Sequence, residues 1–205
     1  KIVYLTFDDG PGAYTAKLLD VLKKYDAKAT FFVTCVGDDS LIKREYDEGH
    51  TVALHTCTHN YAKVYASDAA FFSDLDTVKA RVKRITGYDA NMIRFPGGSS
   101  NAISARYSSG IMSRLTKEVQ NRGYAYFDWN VSSGDAGGTT SSDAVYRNVV
   151  AGMGKFASGA VVLQHDIKGF SVDAVERILQ YGQEHGFVFE KLTPTSYAAH
   201  HGINN

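Results

Sequence analysis

The sequence has few of the residues that characterise small, cross-linked or fibrous folds. Its 205 residues include only two cysteines, Cys35 and Cys57, too few for a disulfide framework or for a zinc site built from thiolates alone. Proline occurs only three times, and the chain has no repeat and no low-complexity linker, which excludes a fibrous or disordered protein. A single globular domain over residues 1–205 is therefore expected, since one hydrophobic core supports a chain of this length.

Long apolar runs and charge of one sign are also missing. No apolar segment is long enough to cross a membrane as a helix. Lysine plus arginine number 22, as do aspartate plus glutamate, and this balance argues against a nucleic-acid partner. The chain opens on an apolar segment with no signal-peptide pattern before it. Two alternatives follow, a cytosolic protein or one separated from its leader.

What the sequence does contain is a regular alternation of strand-like and helix-like segments. The predicted strands are Ile2–Thr6, Ala29–Thr34, Thr51–Leu54, Asn91–Arg94, Ala125–Phe127, Ala160–Gln164 and Phe187–Glu190. The predicted helices are Tyr14–Tyr25, Ser40–Glu48, Asp68–Gly87, Ile111–Arg122, Ser142–Phe156 and Val172–His185, and the polar stretch Ser132–Ser142 is predicted to be a loop. Such alternation requires parallel strands joined by crossovers. Because no glycine-rich dinucleotide motif follows the first strand, an α/β fold closed like a (β/α) barrel is favoured over an open sheet.

Ionisable residues lie at the ends of five of the predicted strands. They are Asp8-Asp9, the segment from His55 to His59, Arg94, Asp128 and His165-Asp166. The carboxyl ends of parallel strands meet at one edge of a sheet or at one mouth of a barrel, where α/β enzymes carry their reactive groups. The clustering therefore indicates an active site.

Asp9, His55 and His59 form a candidate metal site. Two histidines four positions apart can face one direction in a helical turn, and a carboxylate from elsewhere completes three ligands with an open position for water. Neighbouring residues of an extended strand end face opposite ways, so Asp8 could stay free to accept a proton. The alternatives are two structural histidines and an acidic turn at Asp8-Asp9-Gly10-Pro11.

Three further residues could assist the chemistry. Arg94 could pair with a carboxylate and lower its pKa. His165 is a candidate general acid, and Asp128 could hydrogen-bond to it and fix its tautomer. Each residue alone is compatible with a structural ion pair, whereas together they favour a catalytic site.

These motifs resemble the catalytic domain of the polysaccharide deacetylases, the carbohydrate esterase family 4 or NodB-homology group. The similarity runs in family order from Thr6-Phe7-Asp8-Asp9-Gly10-Pro11 to Leu163-Gln164-His165-Asp166. It implies a distorted (β/α) barrel of about seven parallel strands. It also implies a metal-dependent hydrolase that removes acetyl groups from a polysaccharide.

The resemblance also assigns roles to individual residues. It implies that Asp8 is the general base supported by Arg94, that His165 is the general acid supported by Asp128, and that Asp9, His55 and His59 are the metal ligands. It further implies that Trp129 and Leu163 form the walls of the pocket for the acetyl methyl group, and that the N–H group of Gly97 helps to bind the oxyanion. The family often has an aromatic residue at the position of Gly97, so a ring at this place is absent or comes from another segment.

Cofactor, substrate and location follow from the same resemblance. One divalent ion is expected, zinc first and cobalt or nickel as alternatives. The expected substrate is N-acetylglucosamine in peptidoglycan, then chitin-type glycans, then O-acetylated xylan. A monomer that is extracellular or associated with the cell envelope is expected, with its leader and any anchor missing from this chain.

Three rival functions stay open, and so does the question of whether the two cysteines form a disulfide bridge. Gly97-Gly98-Ser99-Ser100-Asn101 partly matches a nucleophile elbow, so a serine esterase using Ser99 is one rival, although its last position lacks the required glycine. A non-catalytic carbohydrate-binding relative is another. A glycosidase built on Asp8 is the third, but it leaves the histidine pair without a role. Because Cys35 and Cys57 follow adjacent predicted strands, they are either two free thiols or one bridge.

Overall fold

Parallel β-strands form the centre of the molecule, whose structure is a computed structural model that describes residues 1–205. The strands are β1 (Ile2–Asp8), β2 (Thr30–Val33), β3 (Thr51–Leu54), β4 (Met92–Ile93), β5 (Ala125–Tyr126), β6 (Val131–Ser132), β7 (Ala160–His165) and β8 (Val188–Phe189). The helices are α1 (Thr15–Lys24), α2 (Asp39–Asp47), α3 (Tyr61–Val64), α4 (Asp68–Thr86), α5 (Ile111–Asn121), α6 (Ser142–Met153), α7 (Gly169–Asp173) and α8 (Val175–Glu184), with a 3₁₀ turn over Ile103–Arg106. None of the helices combines the length and the apolar character that crossing a membrane requires.

Local sequence signals explain where several helices begin and end. The side chains of Asp38, Ser67 and Ser141 each accept a hydrogen bond from a backbone N–H group in the first turn of α2, α4 and α6. Such caps satisfy N–H groups that have no partner within the helix. At the other end of α4, Gly87 adopts a left-handed conformation with φ of 78°, as is common one position beyond a helix.

The order of the strands shows that the sheet is curled. Seven strands follow one another in the order β5-β4-β3-β2-β1-β7-β6, and β8 pairs with the start of β1. In a flat sheet, strands spaced about 4.8 Å apart would separate the two outer strands by roughly 29 Å. Yet only residues 127–130 connect β5 to β6, and such a segment spans at most about 18 Å. The predicted distorted (β/α) barrel is therefore confirmed.

The two faces of the sheet bury different clusters. On β1, Val3, Leu5 and Phe7 point into a cluster of 41 buried residues that includes the helices. Tyr4 points the other way, into a cluster of eight residues drawn from the strands and the C-terminal segment. This alternation follows from the two-residue period of a β-strand. The smaller cluster fills the concave side of the sheet, and the residues that end the strands lie above it.

Two sequence predictions about the elements are wrong. The segment Val172–His185 is not one helix, because α7 begins earlier, at Gly169, and Ala174 separates it from α8. The strand β6 was not predicted, because Val131 is its only apolar residue and no apolar run marks it. Ser132 belongs to this strand rather than to the predicted loop. Only its pairing with β7 in the structure defines β6 as a strand.

Cys35 and Cys57 form a disulfide bridge, which settles the alternative between two thiols and one bridge. The bridge joins the segments that follow β2 and β3, with a sequence separation of 22. In the chain-entropy description, a bridge that closes a loop of this size contributes about 3 kcal/mol to the stability of the folded state. It also ties the end of β2 to the end of β3, which carries His55 and His59.

A buried histidine between α2 and β3 makes the stability of the fold depend on pH. His50 is 4% exposed, and its Nδ1 accepts a hydrogen bond from the N–H of Ala29 at 3.1 Å. Burial, with smaller contributions from the charges of Lys28, Lys191 and Arg44, lowers the pKa of His50 from 6.5 to about 4. The unfolded chain therefore binds more protons than the folded one between these two pKa values, and stability falls as the pH is lowered through this window.

Because of His50, we expect the free energy of unfolding to be about 2 kcal/mol lower at pH 5 than at pH 7. Urea unfolding of the wild type and of His50→Asn at both pH values measures the difference. The asparagine oxygen can still accept from Ala29 but does not titrate, so the variant should lose that share of the pH dependence. An identical pH dependence in both proteins would show that His50 is not its source.

Candidate active site

The carboxyl ends of the strands enclose one cavity of about 400 Å³. Its lining includes eight of the predicted site residues, namely Asp8, Asp9, His55, His59, Gly97, Trp129, Leu163 and His165. The two other predicted residues, Arg94 and Asp128, are buried and do not line the cavity. The fold therefore brings together side chains that are spread over more than 150 positions of the sequence.

Asp9, His55 and His59 are arranged so that one cation fits between them. Oδ1 of Asp9 lies 3.4 Å from Nε2 of His55 and 3.6 Å from Nε2 of His59. This oxygen is buried and has no hydrogen-bond partner, although buried polar atoms are normally paired. Two imidazoles and a carboxylate are the ligands that zinc and similar divalent ions accept. The donor set therefore fits a metal ion, as the sequence predicted.

The protonation of His55 also suits a metal ligand. Its Nδ1 lies 2.7 Å from the carbonyl oxygen of Arg94, and because a carbonyl only accepts, Nδ1 carries the proton and Nε2 is free to bind. Burial lowers the pKa of His55, and the nearby charges of Asp8 and Asp9 only partly oppose this effect. The neutral imidazole is the form that binds a metal.

The backbone that presents these three residues differs from the prediction. The histidines do not lie on a helical turn, because Thr56 and His59 have φ angles of 69° and 48°. Asp9 has φ of 78°, so it does not continue the extended strand, and its carboxylate enters the same cavity as that of Asp8 instead of facing away. Left-handed conformations of residues other than glycine cost about 1–3 kcal/mol each and often mark functional sites.

Asp8 and Arg94 form a buried ion pair beneath the cavity. Oδ1 of Asp8 accepts a hydrogen bond of 2.8 Å from Nη1 of Arg94, while Oδ2 faces Nε2 of His55 at 3.6 Å. The guanidinium also donates to the hydroxyl of Thr6 and to the carbonyl groups of Phe127 and Asp128. The predicted pairing of Arg94 with a carboxylate is confirmed. It leaves one oxygen of Asp8 directed toward the candidate metal site.

The predicted contact between Asp128 and His165 is wrong, because Asp135 takes this position. Nδ1 of His165 donates to Oδ1 of Asp135 at 2.8 Å, and the N–H of His165 donates to Oδ2 at 2.7 Å. Burial alone would lower the pKa of His165, but the hydrogen bond to Asp135 and the charges of Asp8, Asp135 and Asp9 raise it above its ordinary value. The same contact lowers the pKa of Asp135 despite its burial.

Asp135 lies in the polar loop that follows β6 and was not among the predicted site residues. The pairing of β6 with β7 sets Ser132 beside Leu163, which places this loop next to His165. One sequence signal could have found the residue. Asp135 is the only ionisable side chain in the stretch Ser132–Ser142.

Asp128 instead organises the loop after β4. Its carboxylate accepts hydrogen bonds from the N–H and hydroxyl groups of Ser99 and from the N–H of His201. Ser99 is fully buried, and its hydroxyl is directed to a carboxylate rather than to a histidine. The serine esterase that would use Ser99 as its nucleophile is therefore ruled out, since a nucleophile needs access to the substrate and a base within reach.

Glycines and aromatic rings shape one wall of the cavity. Gly97 has φ of 78°, and a Cβ atom there would lie 3.0 Å from the hydroxyl oxygen of Tyr61. A Cβ atom on Gly98 would lie 2.9 Å from the ring of Trp129. Larger residues are strained at both positions. The aromatic residue that the family often has in place of Gly97 is thus absent, and Tyr61 supplies a ring from α3.

The C-terminal segment supports this wall and was not predicted to belong to the site. Nε2 of His201 donates to the carbonyl oxygen of Trp129 at 2.7 Å, and the two rings meet edge to face with centroids 4.6 Å apart. Its Nδ1 lies 3.1 Å from the hydroxyl of Ser100. These contacts join Trp129 to the loop that contains Gly97 and Gly98.

Comparisons with known proteins agree with the motifs. A family model described as polysaccharide deacetylase matches residues 1–111. The catalytic domain of a peptidoglycan N-acetylglucosamine deacetylase from Eubacterium rectale is similar in structure, with a TM-score of 0.98 and 52% identity over 100% of this chain and 94% of that one. A polysaccharide deacetylase structure from Bacillus cereus has a TM-score of 0.83 and 34% identity over 100% and 96% of the two chains. A peptidoglycan-N-acetylglucosamine deacetylase of Bacillus cereus is 36% identical over 96% of this chain and 71% of its own length.

Proposed function

Because this chain belongs to the polysaccharide deacetylase family, we propose that it hydrolyses acetyl groups on a cell-wall glycan with one divalent metal ion held by Asp9, His55 and His59. The single observation that carries the proposal is the buried, unpartnered oxygen of Asp9, which faces two imidazole nitrogens in a cavity that also contains Asp8 and His165. An ion bound there polarises the acetyl carbonyl group and lowers the pKa of water. Zinc is the first expectation for this ligand set, with cobalt and nickel as alternatives.

Asp8 is the general base in this proposal. Its Oδ2 faces the cavity, while Arg94 holds Oδ1 and compensates the negative charge. The free oxygen can take the proton from the attacking water as the bond to the acetyl carbon forms. Arg94 is buried and does not line the cavity, so it acts by fixing the direction of the carboxylate.

His165 is the general acid. Its Nδ1 is held by Asp135, so Nε2 faces the cavity, where it lies 3.9 Å from Oδ2 of Asp9. The raised pKa of His165 keeps the ring protonated at higher pH than an isolated histidine. This protonation is needed because the nitrogen of an amide leaves only after it receives a proton.

Gly97, Trp129 and Leu163 bind the acetyl group in this proposal. The N–H of Gly97 has no acceptor within the protein and can donate to the developing oxyanion; one such donor is worth about 2.7–4 kcal/mol. Trp129 and Leu163 line the same cavity and offer apolar surface to the methyl group. Asp128 orders the loop after β4 through Ser99 and does not support the acid.

The proposed substrate is N-acetylglucosamine in peptidoglycan, in line with the names of the Eubacterium rectale and Bacillus cereus relatives. Chitin-type glycans are the next choice, and O-acetylated xylan would use the same residues with an easier leaving group. Activity on peptidoglycan would place the protein outside the cell or at its envelope. We propose that it acts there as a monomer.

Acetate release from a panel of peptidoglycan, chitin oligomers and acetylated xylan tests the proposal. We expect release from the first substrate, loss of activity after a chelator removes bound metal, and recovery when zinc is added. Full activity in the metal-free protein would refute the metal-dependent reaction, and release from xylan alone would refute the proposed substrate.

A further inference from the structure

The turn between His55 and His59 is held by a carboxylate that lies outside the cavity. Asp74 projects from α4, and its Oδ1 accepts hydrogen bonds from the N–H of Cys57 at 2.7 Å and from the N–H of Thr58 at 3.0 Å. Its Oδ2 accepts a third from the hydroxyl of Thr58 at 2.8 Å. Both oxygens of this side chain are thus engaged with the two residues that separate Thr56 from His59.

The backbone of the turn needs such support. Thr56 and His59 adopt left-handed conformations, which are sparsely populated by residues other than glycine and persist only where surrounding structure holds them. On the side of β2, the disulfide and a hydrogen bond from the N–H of Cys35 to the carbonyl oxygen of Cys57 hold the turn. On the side of α4, Asp74 holds the turn.

The two histidines differ in how their rings are anchored. The Nδ1 atom of His55 donates to the carbonyl oxygen of Arg94. The ring of His59 lacks such a hydrogen bond; it meets the ring of Tyr61 edge-on at 5.6 Å and approaches Oδ1 of Asp9 at 3.6 Å. The position of His59 therefore depends on the backbone of the turn.

We propose that Asp74 is a positioning residue for metal binding, which holds the turn so that His59 stays within reach of Asp9 and His55. This inference rests on the proposed function, because it assumes that these three residues bind the ion. Asp74 contacts neither the ion nor the substrate. Removal of groups that orient metal ligands typically weakens metal affinity about 10-fold to 100-fold.

Zinc affinity measured by competition with a coloured chelator tests the proposal in the oxidised full chain. We expect Asp74→Ala to bind zinc about 10-fold to 100-fold more weakly than the wild type. Asp74→Asn should lie between them, because its amide oxygen can still accept from the two N–H groups while its amide nitrogen cannot accept from the hydroxyl of Thr58. Asp76→Ala is the matched control, since Asp76 is exposed on the same helix, and its affinity should equal that of the wild type.

Unfolding of the metal-free proteins shows whether each variant is folded, and Asp74→Asn decides the matter if Asp74→Ala does not fold. A zinc dissociation constant within twofold of the wild-type value in the folded Asp74 variant overturns the proposal. An equal loss in Asp76→Ala also overturns it, because the effect would then come from the charge of the helix. Failure of the wild type to bind zinc, cobalt and nickel alike would instead overturn the proposed function, and this inference with it.

Discussion

Asp8→Asn is expected to reduce kcat by about 10²-fold to 10⁴-fold, the usual contribution of a general base, while zinc still binds. The carboxamide cannot take a proton from water, but its oxygen can still accept the hydrogen bond from Arg94. Asparagine is preferred to alanine because truncation would leave the guanidinium of Arg94 buried without its counter-charge, which costs about 3–5 kcal/mol. Acetate release at saturating substrate and the zinc dissociation constant are the two measurements.

Asp26→Asn provides a control of the same chemistry, since Asp26 is an acid outside the cavity, and it should leave both quantities unchanged. Near-normal turnover in Asp8→Asn would exclude Asp8 as the base. Loss of zinc binding together with turnover would instead make Asp8 a ligand, and the roles of Asp8 and Asp9 would have to be reassigned.

Asp135→Asn is expected to lower kcat by about 10²-fold, at the lower end of the range for general acid catalysis. The hydrogen bond and charge of Asp135 raise the pKa of His165, so their removal lowers that pKa. The acid form of His165 is then lost at lower pH, and the alkaline limb of the kcat profile should shift to lower pH. A pH profile of acetate release measures both effects.

Asp128→Asn is the matched comparison for this experiment, since it alters a buried aspartate that contacts Ser99 and His201 rather than His165. In Asp128→Asn, kcat should fall on the alkaline side at the same pH as in the wild type, whatever the change in the maximal rate. A shift in Asp128→Asn without one in Asp135→Asn would mean that the hydrogen bond between Asp135 and His165 does not set the protonation of His165 during turnover.

Short motifs made much of the site predictable. Residues such as Asp8 and Asp9, or His55 and His59, lie close in sequence, so their proximity in space needs little information from the rest of the chain. The strand ends could also be located, because Thr51–Leu54 and Ala160–His165 carry the apolar pattern of buried parallel strands. The predicted ligand set and the pairing of Arg94 with a carboxylate both follow from such local signals.

Contacts that depend on weak or distant elements were not predictable. Asp135 reaches His165 only because the two-residue strand β6 pairs with β7. Val131 is the only apolar residue of this strand, so no apolar run marks it in the sequence. The support of Trp129 by His201 depends on the path of the C-terminal segment, which carries no motif. Tyr61 enters the cavity because Gly97 leaves room for it, a relation that appears in no single stretch of sequence.

The amino-acid sequence by itself determined the α/β alternation, the acidic and histidine residues at the strand ends and the family to which they belong, because each is written in a short contiguous pattern. The tertiary structure alone decided that Asp135 rather than Asp128 holds His165, that Ser99 is buried against Asp128, and that Cys35 is bridged to Cys57. The physical reason is the same in each case. A hydrogen bond or a covalent bridge between distant residues depends on distances of a few ångströms, which only the curled sheet and its loops define.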